Sequence, residues 1–512
     1  MISKIKSIVL NGLEVIPTEV EVGFSRGIPG ITIVGLPDNA VKESKERIRF
    51  AIKNSGFEYP LGLKVVVNLS PADVKKEGSA FDLPITTGIL KNQYDFDDHL
   101  FEEFLFFGEL NLNGELKPVK GVLNLALFAR EKGYKGIVIP HENGIEAAFV
   151  KGIDVYALDN LNEVMGFIKD PHSFEPFKSD FKMKPGRAAV NFAEIKGQYL
   201  AKRMMEIAAA GFHNALMIGP PGAGKSMIAK ALPSILPDMT DDEILETSLI
   251  YSAAGLLNRL NGLVTVRPFR SPHHTISDVG ISGGGKYPVP GEISLAHNGV
   301  LFLDELPYFK RPALEVLRQP LEDSKITISR SLTSYTYPAR FMLIAAMNPC
   351  EDSIGIKDSQ YYVCTDYQRR KYYSKISKPL LDRIDLQIEV KKVKIAEITS
   401  KGLAESSESI RKRVLHARSL QLERFSHIKH QKVFANGQMD NRAIKRFCAL
   451  DEEGETILKS AIDKLDLSAR SYFRILKIAR TIADLQGWTD IQPPHIQEAL
   501  QYRTLNLAHY HQ

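Results

Sequence analysis

IGPPGAGKSMIAKAL, from Ile218 to Leu232, contains the pattern G-x-x-x-x-G-K-[ST], which ends at Lys225 and Ser226. An apolar run precedes the pattern and helix-forming residues follow it, so the sequence predicts the strand, loop and helix of a phosphate-binding loop. In such a loop backbone N–H groups converge on phosphates, the lysine reaches the β and γ oxygens, and the hydroxyl coordinates Mg²⁺. We predict nucleotide contacts for Gly219, Pro220, Pro221, Gly222, Ala223, Gly224, Lys225, Ser226 and Met227.

A second apolar run, VLFLDEL from Val300 to Leu306, ends in two carboxylates. Asp304 is predicted to hold Mg²⁺ through water, and Glu305 to polarise the water that attacks the γ-phosphate. An ordinary buried strand with a solvated acidic end has the same pattern. The phosphate-binding loop upstream favours the catalytic interpretation.

Two polar residues lie close to further apolar runs. FMLIAAMN ends in Asn348, whose amide could hydrogen-bond the γ-phosphate or the attacking water; the alternative is a turn-forming Asn before proline. LLDRIDL contains Arg383, which could neutralise transition-state charge in the site of a neighbouring subunit, an assignment that depends on resemblance to a known family. The alternative is an arginine that is solvated or paired with Asp382 or Asp385.

Changes in pattern along the chain predict four segments. Residues 1–169 alternate β-rich runs with helical stretches, which indicates an α/β domain. Residues 170–187 are rich in Pro, Lys and Phe and are typical of a linker. Residues 188–396 alternate short apolar strands with helices, as in a parallel sheet with crossover helices. Residues 397–512 have apolar residues at helical spacing and are predicted to form a helical domain.

Composition limits the class of protein. The 512 residues are 44% hydrophobic and 25% charged, which is ordinary for a globular chain of several domains. A formal net charge of +5 is mild, so affinity for an acidic partner would require clustered Lys and Arg. The three cysteines include no CxxC pair, which favours a reducing compartment. With no signal-peptide pattern and no apolar stretch that could span a bilayer, we expect a soluble, cytoplasmic protein that does not enter the membrane.

These motifs resemble those of the AAA+ ATPases of the magnesium-chelatase-like group, and specifically the YifB/ComM family. The resemblance runs over nearly the whole chain and includes NLSPADVKKEGSAFDLPI, FAEIKGQ, RPFRSPHHTIS, GEISLAHNGVLFLDEL, ISKPLLDRIDL and LSARSYFRILKIARTIADL. It implies a P-loop AAA+ core with a parallel sheet, preceded by an inactive Lon-protease-like (S5-fold) domain and followed by a helical lid.

The resemblance also implies cofactors, assembly and function. Members of the family use ATP and Mg²⁺ and form rings, usually hexamers, because the arginine finger and the nucleotide site lie on different subunits. ComM proteins resemble DNA motors that extend heteroduplex by branch migration during homologous recombination and natural transformation. Carried over by position, the family's roles place Ile195, Gly197 and Gln198 near the adenine and make Asn348 sensor 1, Arg383 the arginine finger and Arg470 the sensor 2 arginine.

The stretch KITISRSLTSYTYPAR, residues 325–340, has two period-2 runs that flank a polar turn and is predicted to form a β-hairpin. A hairpin just before sensor 1 resembles the pore hairpin of related helicases, which makes Lys325 and Arg330 candidates for contact with DNA phosphates. The alternative is an exposed hairpin whose basic residues only aid solubility.

A second candidate DNA contact is the insert RPFRSPHHTISDVGISGGGKYPVPGE, residues 267–292. Its cationic residues Arg267, Arg270 and Lys286 are predicted to lie near the pore. Adjacent histidines point to different sides of an extended chain, so we interpret the HH pair as solvated or hydrogen-bonded and not as metal ligands.

The chain departs from many relatives after Asn348. There the relatives carry a four-cysteine cluster that begins NPCPCG, whereas this chain keeps only Cys350 and Cys364. Because a tetrahedral zinc site requires four ligands, we predict no structural zinc.

Two rival functions belong to different classes. A Lon-type protease needs a catalytic serine and a catalytic lysine, but this chain has Ala80 and Leu123 at those positions. Ser79 stands one residue before the serine position, and Lys117 and Lys120 lie only near the lysine position. A chaperone-like remodeller of a protein partner, as in magnesium chelatase, is the other alternative; that ATPase lacks the N-terminal Lon-like domain.

Overall fold

The computed structural model describes residues 2–178, 190–257, 262–285, 289–329, 334–350, 364–393, 404–426, 433–465 and 467–503. The chain forms two compact units. Unit 1 comprises Met1–Lys184, Asp241–Val264 and Ser331–Tyr337, and unit 2 comprises Pro185–Thr240, Thr265–Arg330 and Pro338–Gln512. Both units mix helices and strands, which confirms the predicted α/β class; the four segment boundaries stay predictions.

Unit 1 is built on a four-stranded sheet with the order Ile2–Asn11, Glu14–Ser25, Lys64–Ser70, Gly30–Val34. The first two pairs are antiparallel and the last is parallel. Alternate residues of KVVVNLS are buried, as expected where only one sheet face meets a core. The other elements are strands Phe104–Phe106, Glu109–Leu110, Leu116–Lys117, Gly136–Pro140 and Asp154–Leu158 and helices Asn39–Asn54, Asp82–Lys91, Asp98–Glu103, Val122–Glu131, Gly144–Ala148 and Leu161–Lys169.

Helix Asp241–Ala253 belongs to unit 1, although its sequence follows the phosphate-binding loop. Ser252 near its end accepts hydrogen bonds from the unit 1 core: its carbonyl from Gly121 N–H (3.0 Å) and its Oγ from Leu123 N–H (3.3 Å). The Ser252 hydroxyl donates to Glu146 Oε2 (2.9 Å), and Asn143 donates to Glu146 Oε1 (2.5 Å). The helix is therefore attached to unit 1 through polar groups around a buried carboxyl.

Burial raises the pKa of Glu146 from 4.5 to about 7. The folded chain then holds a proton that the unfolded chain loses at lower pH, so stability present below pH 4.5 is lost as pH rises through about 7. The difference between the two pKa values, 4.5 and about 7, corresponds to about 3 kcal/mol in the free energy of unfolding. Glu146→Gln, which mimics the protonated acid, is expected to abolish this loss.

Hydrogen exchange of the amides in Val122–Glu131, measured at pH 5 and pH 8 after correction for the intrinsic rates, tests this expectation. Protection is expected to fall with pH in the wild type and to stay constant in Glu146→Gln. The exposed neighbour Glu142 provides the matched control, because Glu142→Gln is expected to behave as the wild type. Equal pH dependence in all three chains would show that the titration of Glu146 does not contribute to stability between pH 5 and pH 8.

Unit 2 contains a five-stranded sheet with the order Phe269–Arg270, Val300–Leu303, Met342–Met347, Ala215–Ile218, Leu386–Glu389. All four pairings are parallel. Three of its strands are buried along their whole length, as is typical of parallel sheets covered on both faces. This is the predicted parallel sheet of the P-loop core.

The C-terminal part of unit 2 is helical, as predicted. Hydrogen bonds and ion pairs to one buried carboxylate connect its helices. Asp484 is buried and accepts hydrogen bonds from Arg424 (2.5 Å), Arg480 (3.0 Å) and Asn436 (2.7 Å). The helices of unit 2 are Tyr199–Gly211, Lys225–Ala231, Asp278–Ser282, Glu292–Leu295, Arg311–Glu315, Arg318–Asp323, Asp366–Tyr373, Lys378–Leu381, Ser407–Phe425, Asn441–Phe447, Glu452–Leu465, Ala469–Leu485 and Pro493–Gln501. Short strands Gly283–Gly284, Val289–Pro290 and Lys325–Ser329 also lie in this unit.

The cysteines differ from the reduced state that their spacing favoured. Cys350 and Cys364 form a disulfide bond, whereas Cys448 is a buried free thiol whose pKa burial raises to about 12. In the part of the chain that the structure describes, no cluster of three or more His, Cys, Asp or Glu side chains is arranged to hold a metal ion. Within the same ranges, no helix is both long and apolar enough to cross a bilayer.

Candidate nucleotide site

The phosphate-binding loop begins where strand Ala215–Ile218 ends. Gly219 N–H donates to the carbonyl of Met347 (3.1 Å) on the neighbouring strand. A Cβ at Gly219 would lie 2.1 Å from the carbonyl oxygen of Val390, so only glycine fits between the two flanking chains. The loop is thereby held at the carboxyl edge of the sheet, where parallel α/β folds bind ligands.

Gly222 and Gly224 give the loop its curvature. Their φ angles of +76° and +90° lie in the left-handed region, which glycine adopts without steric cost. Around both, the position that a Cβ would take has no described atom within 4 Å, so this side of the loop faces open space. Helix Lys225–Ala231 starts immediately after Gly224, and its first N–H groups are donors without helical acceptors. The loop therefore fits a phosphate group.

Lys225 is 7% exposed and connects the loop to the predicted sensor. Its Nζ donates to the carbonyls of Gly219 (2.5 Å) and Pro220 (2.9 Å) and to Oδ1 of Asn348 (3.0 Å). Asn348 directly follows strand Met342–Met347, and its own carbonyl accepts from the Tyr372 hydroxyl (2.9 Å). The ammonium and the amide are thus side by side, as a shared contact with a γ-phosphate requires.

Ser226 and Asp304, the predicted Mg²⁺ ligands, are in direct contact. Ser226 Oγ donates to Asp304 Oδ2 at 2.5 Å. Mg²⁺ prefers oxygen ligands and keeps several waters, so one hydroxyl and one carboxylate on adjacent elements suit it. The pair fits an ion held between the protein and nucleotide phosphates.

Glu305 extends from the same strand end as Asp304. Its N–H donates to Asp304 Oδ1 (2.9 Å), and its φ of +55° lies in the left-handed region that is uncommon for a residue with a side chain. The Glu305 side chain is 49% exposed, and its Oε2 lies 3.2 Å from Nδ1 of His274. Glu305 is therefore accessible to water and has a partner that the sequence did not indicate.

Ile195, Gly197 and Gln198 precede helix Tyr199–Gly211. Ile195 is buried, and Gly197 and Gln198 both have positive φ. The Gln198 amide donates to the carbonyl of Ala223 (2.9 Å) in the loop and to that of Lys391 (2.7 Å). The segment therefore lies beside the phosphate-binding loop; its contact with adenine stays a prediction.

Arg383 is buried and ion-paired with Glu322, not with Asp382 or Asp385. The guanidinium also donates to the carbonyl of Pro379 (2.7 Å) and holds the pKa of Glu322 below its usual range. Arg383 and the exposed Arg470 line one cavity of about 700 Å³, whose described lining includes no residue of the phosphate-binding loop.

The predicted DNA contacts differ in their surroundings. Lys325 is exposed at the start of strand Lys325–Ser329, whereas Arg330 and Lys286 lie outside the described residues. Arg267 donates to three backbone carbonyls, those of Pro237, Asp238 and Asn298, and Arg270 forms two hydrogen bonds with Glu292 (2.6 Å each). The guanidinium groups of Arg267 and Arg270 are therefore engaged within unit 2, and their contact with DNA stays a prediction.

The positions of a Lon-type dyad are occupied by buried apolar side chains. Ala80 is 8% exposed and Leu123 is fully buried, and neither can act as a nucleophile or a base. The Ser79 hydroxyl donates to the carboxylate of Glu109. A serine on a carboxylate is not the serine–lysine arrangement of this protease class.

The partners of two site residues could not be predicted. The contacts of Glu305 with His274 and of Arg383 with Glu322 join segments that are distant in the chain. A weak signal exists only for His274, which comes soon after strand Phe269–Arg270; this strand pairs with Val300–Leu303, the strand that leads to Glu305.

The chain is similar to known proteins along most of its length. The family described as "Magnesium chelatase, subunit ChlI" matches residues 191–398, "Subunit ChlI of Mg-chelatase" matches 20–143, and "Magnesium chelatase, subunit ChlI C-terminal" matches 404–503.

Individual relatives agree with these matches. The chain is 43% identical to the competence protein ComM of Haemophilus influenzae over 492 residues, which cover 95% of this chain and 94% of that protein. It is 40% identical to the protein YifB of Escherichia coli over 502 residues, which cover 97% and 96%. The magnesium-chelatase 67 kDa subunit of Chlorobaculum parvum is 25% identical over 191 residues, which cover 36% and 28%.

Proposed function

The chain belongs to the YifB/ComM family of magnesium-chelatase-like AAA+ ATPases, and from this premise we propose that it hydrolyses ATP in a ring of identical subunits to translocate on DNA or to drive branch migration. The proposed ATP hydrolysis is supported by two contacts at the phosphate-binding loop, those of Lys225 with Asn348 and of Ser226 with Asp304. The DNA half is supported by similarity to a competence protein. We place this activity in the cytoplasm.

Each residue of the site has a distinct task in hydrolysis. Mg²⁺, when bound by Ser226 and Asp304, neutralises phosphate charge. Lys225 binds the β and γ oxygens and Asn348 orients the attacking water or the γ-phosphate. Glu305 polarises that water and accepts its proton, which its exposure to solvent allows.

The location of the two arginines supports the proposal of a ring. Arg383 and Arg470 line the same cavity, and the described lining of that cavity includes no residue of the phosphate-binding loop. An arginine that neutralises transition-state charge must contact the γ-phosphate. We therefore propose that Arg383 acts on the nucleotide of a neighbouring subunit and that Arg470 assists as the sensor 2 residue.

We propose Lys325 and Arg330 as DNA contacts in the central channel. Lys325 is exposed on a short strand, where an ammonium is free to approach a phosphate backbone. Binding through phosphates is independent of sequence and weakens with salt. Double substitution to alanine is therefore a specific way to remove DNA binding without affecting the nucleotide site.

The second candidate function is remodelling of a protein partner. The three family matches, all described as parts of a magnesium chelatase subunit, favour it. Both functions require ATP hydrolysis, but only a DNA motor is expected to hydrolyse faster when DNA is present.

ATP turnover with and without single-stranded and branched DNA tests the proposal, with Glu305→Gln as the blank. We expect DNA to stimulate turnover severalfold, and expect the Lys325→Ala, Arg330→Ala chain to keep its unstimulated rate while losing the stimulation. An equal rate of ATP hydrolysis with and without DNA would favour remodelling of a protein partner. That partner could then be captured with the Glu305→Gln chain. Absence of hydrolysis in the wild type would overturn both functions.

A further inference from the structure

His274 contacts the carboxylate of Glu305, although the two residues follow different strands. Strand Phe269–Arg270 pairs in parallel with Val300–Leu303, so the residues that follow the two strands emerge at the same edge of the sheet. His274 follows the first strand and Glu305 the second. Their side chains meet with Nδ1 of His274 3.2 Å from Oε2 of Glu305.

The imidazole of His274 is held by other rings. Its centroid lies 4.1 Å from that of His273, so the two rings are packed together and do not point to different sides as expected for an extended chain. The centroids of Tyr308 and Phe309 lie 6.0 Å and 6.5 Å away. His273 is itself in contact with the hydroxyl of Thr275 (2.9 Å). A ring with aromatic neighbours on several sides loses little further freedom when it contacts a ligand or a side chain.

Glu305 needs such a partner. Its backbone is fixed by the Asp304 contact and by a left-handed conformation, of the kind that persists at functional sites where the surroundings determine it. Its side chain, in contrast, is 49% exposed and has three rotatable bonds, so solvent alone would leave the carboxylate in many rotamers. A general base must be within hydrogen-bond reach of its water, and misplacement lowers the rate steeply.

We propose that His274 is a positioning residue, which directs the Glu305 carboxylate toward the attacking water by contact through Nδ1. The inference rests on the proposed ATP hydrolysis and adds His274 to the residues that take part in it. It predicts an effect on the chemical step and not on ATP affinity, because the polar contact of the His274 ring is with Glu305.

Single-turnover ATP hydrolysis and ATP affinity, measured side by side, test the proposal. His274→Ala is expected to lower the rate about tenfold and to leave the ATP Kd within about twofold. His274→Asn places an amide N–H near the position of Nδ1 and is expected to recover most of the rate, whereas His274→Gln, whose amide matches the Nε2 position, is expected to recover less. His273→Ala is the matched control and is expected to retain more activity than His274→Ala.

The Glu305→Gln background makes the test specific. If His274 acts through the carboxylate, His274→Ala is expected to change the residual rate less than about twofold there. An equal loss in both backgrounds, or wild-type activity of His274→Ala, would overturn the inference. If His274→Ala does not bind ATP, equal rates for the Asn and Gln variants would overturn it. A wild type without hydrolysis would instead overturn the proposed function, and this inference with it.

Discussion

Glu305→Gln is expected to hydrolyse ATP at least about a hundredfold more slowly than the wild type while binding ATP with nearly unchanged affinity, because general-base catalysis contributes about 10²–10⁴ in rate. The substitution keeps the size of the side chain and removes only the charge and basicity of its oxygen atoms. Glu305 is also half exposed, so the change leaves no buried group without a partner. The chain is expected to remain assembled with ATP bound.

Lys225→Ala provides the contrast to Glu305→Gln. The Lys225 ammonium lies inside the loop, on the carbonyls of Gly219 and Pro220, where phosphates are predicted to bind. Its loss is expected to remove nucleotide binding itself, and not only hydrolysis. Equilibrium binding of a fluorescent ATP analogue and phosphate release, measured on both variants, separate the two effects.

Two results would contradict this assignment. Normal turnover of Glu305→Gln would remove that carboxylate from the mechanism. Loss of ATP binding in Glu305→Gln would instead assign Glu305 to nucleotide binding. We do not expect this loss, because the Ser226–Asp304 contact predicted to hold Mg²⁺ does not involve Glu305. Circular dichroism of both variants controls for unfolding, because Lys225 is almost fully buried.

The sequence predicts the phosphate-binding loop and its immediate surroundings well, for a local reason. Gly219, Gly222 and Gly224 stand where the backbone needs close approach or positive φ, and these needs are set within a few residues. Asp304 and Asn348 each follow a buried strand, and in a parallel sheet such strand ends converge at one edge. Local patterning and one topological rule are therefore enough to bring them together.

Other features depend on tertiary packing and have no local signal. The placement of helix Asp241–Ala253 in unit 1 depends on hydrogen bonds between Ser252 and the distant residues Gly121 and Leu123. The bond between Cys350 and Cys364 joins two residues that are 14 positions apart in the chain, and no local pattern marks them as a pair. Periodicity records which face of an element is buried, but not which element buries it.

Arg383 illustrates the same limit and leads to the second large effect. LLDRIDL gives an arginine with two aspartates as obvious partners, yet the guanidinium pairs with Glu322. Within one subunit this ion pair satisfies a buried cation, which would otherwise be costly. In the proposed ring, Arg383 would exchange Glu322 for the γ-phosphate of a neighbouring subunit.

Arg383→Ala is expected to bind ATP normally and to hydrolyse it about a thousandfold more slowly, the loss typical of an arginine finger. Glu322→Gln is the matched control: it removes the same ion pair but keeps the guanidinium, so it is expected to retain hydrolysis. If Glu322→Gln were as inactive as Arg383→Ala, the ion pair would be a structural requirement and Arg383 would have no demonstrated role in chemistry.

Mixing Arg383→Ala with Lys225→Ala separates action between subunits from action within one. Neither chain has a complete site, but an Arg383→Ala subunit beside a Lys225→Ala subunit supplies an intact loop and an intact finger at their shared interface. In a ring formed at random from equal amounts, about one quarter of the interfaces combine the two, since heterologous ring contacts join unlike surfaces of adjacent subunits. Turnover is therefore expected to recover to as much as about a quarter of the wild-type rate. Mixed rings, verified by co-purification of differently tagged chains, that show no recovery would assign Arg383 to its own subunit, because an arginine acting within one chain cannot be replaced by its neighbour's.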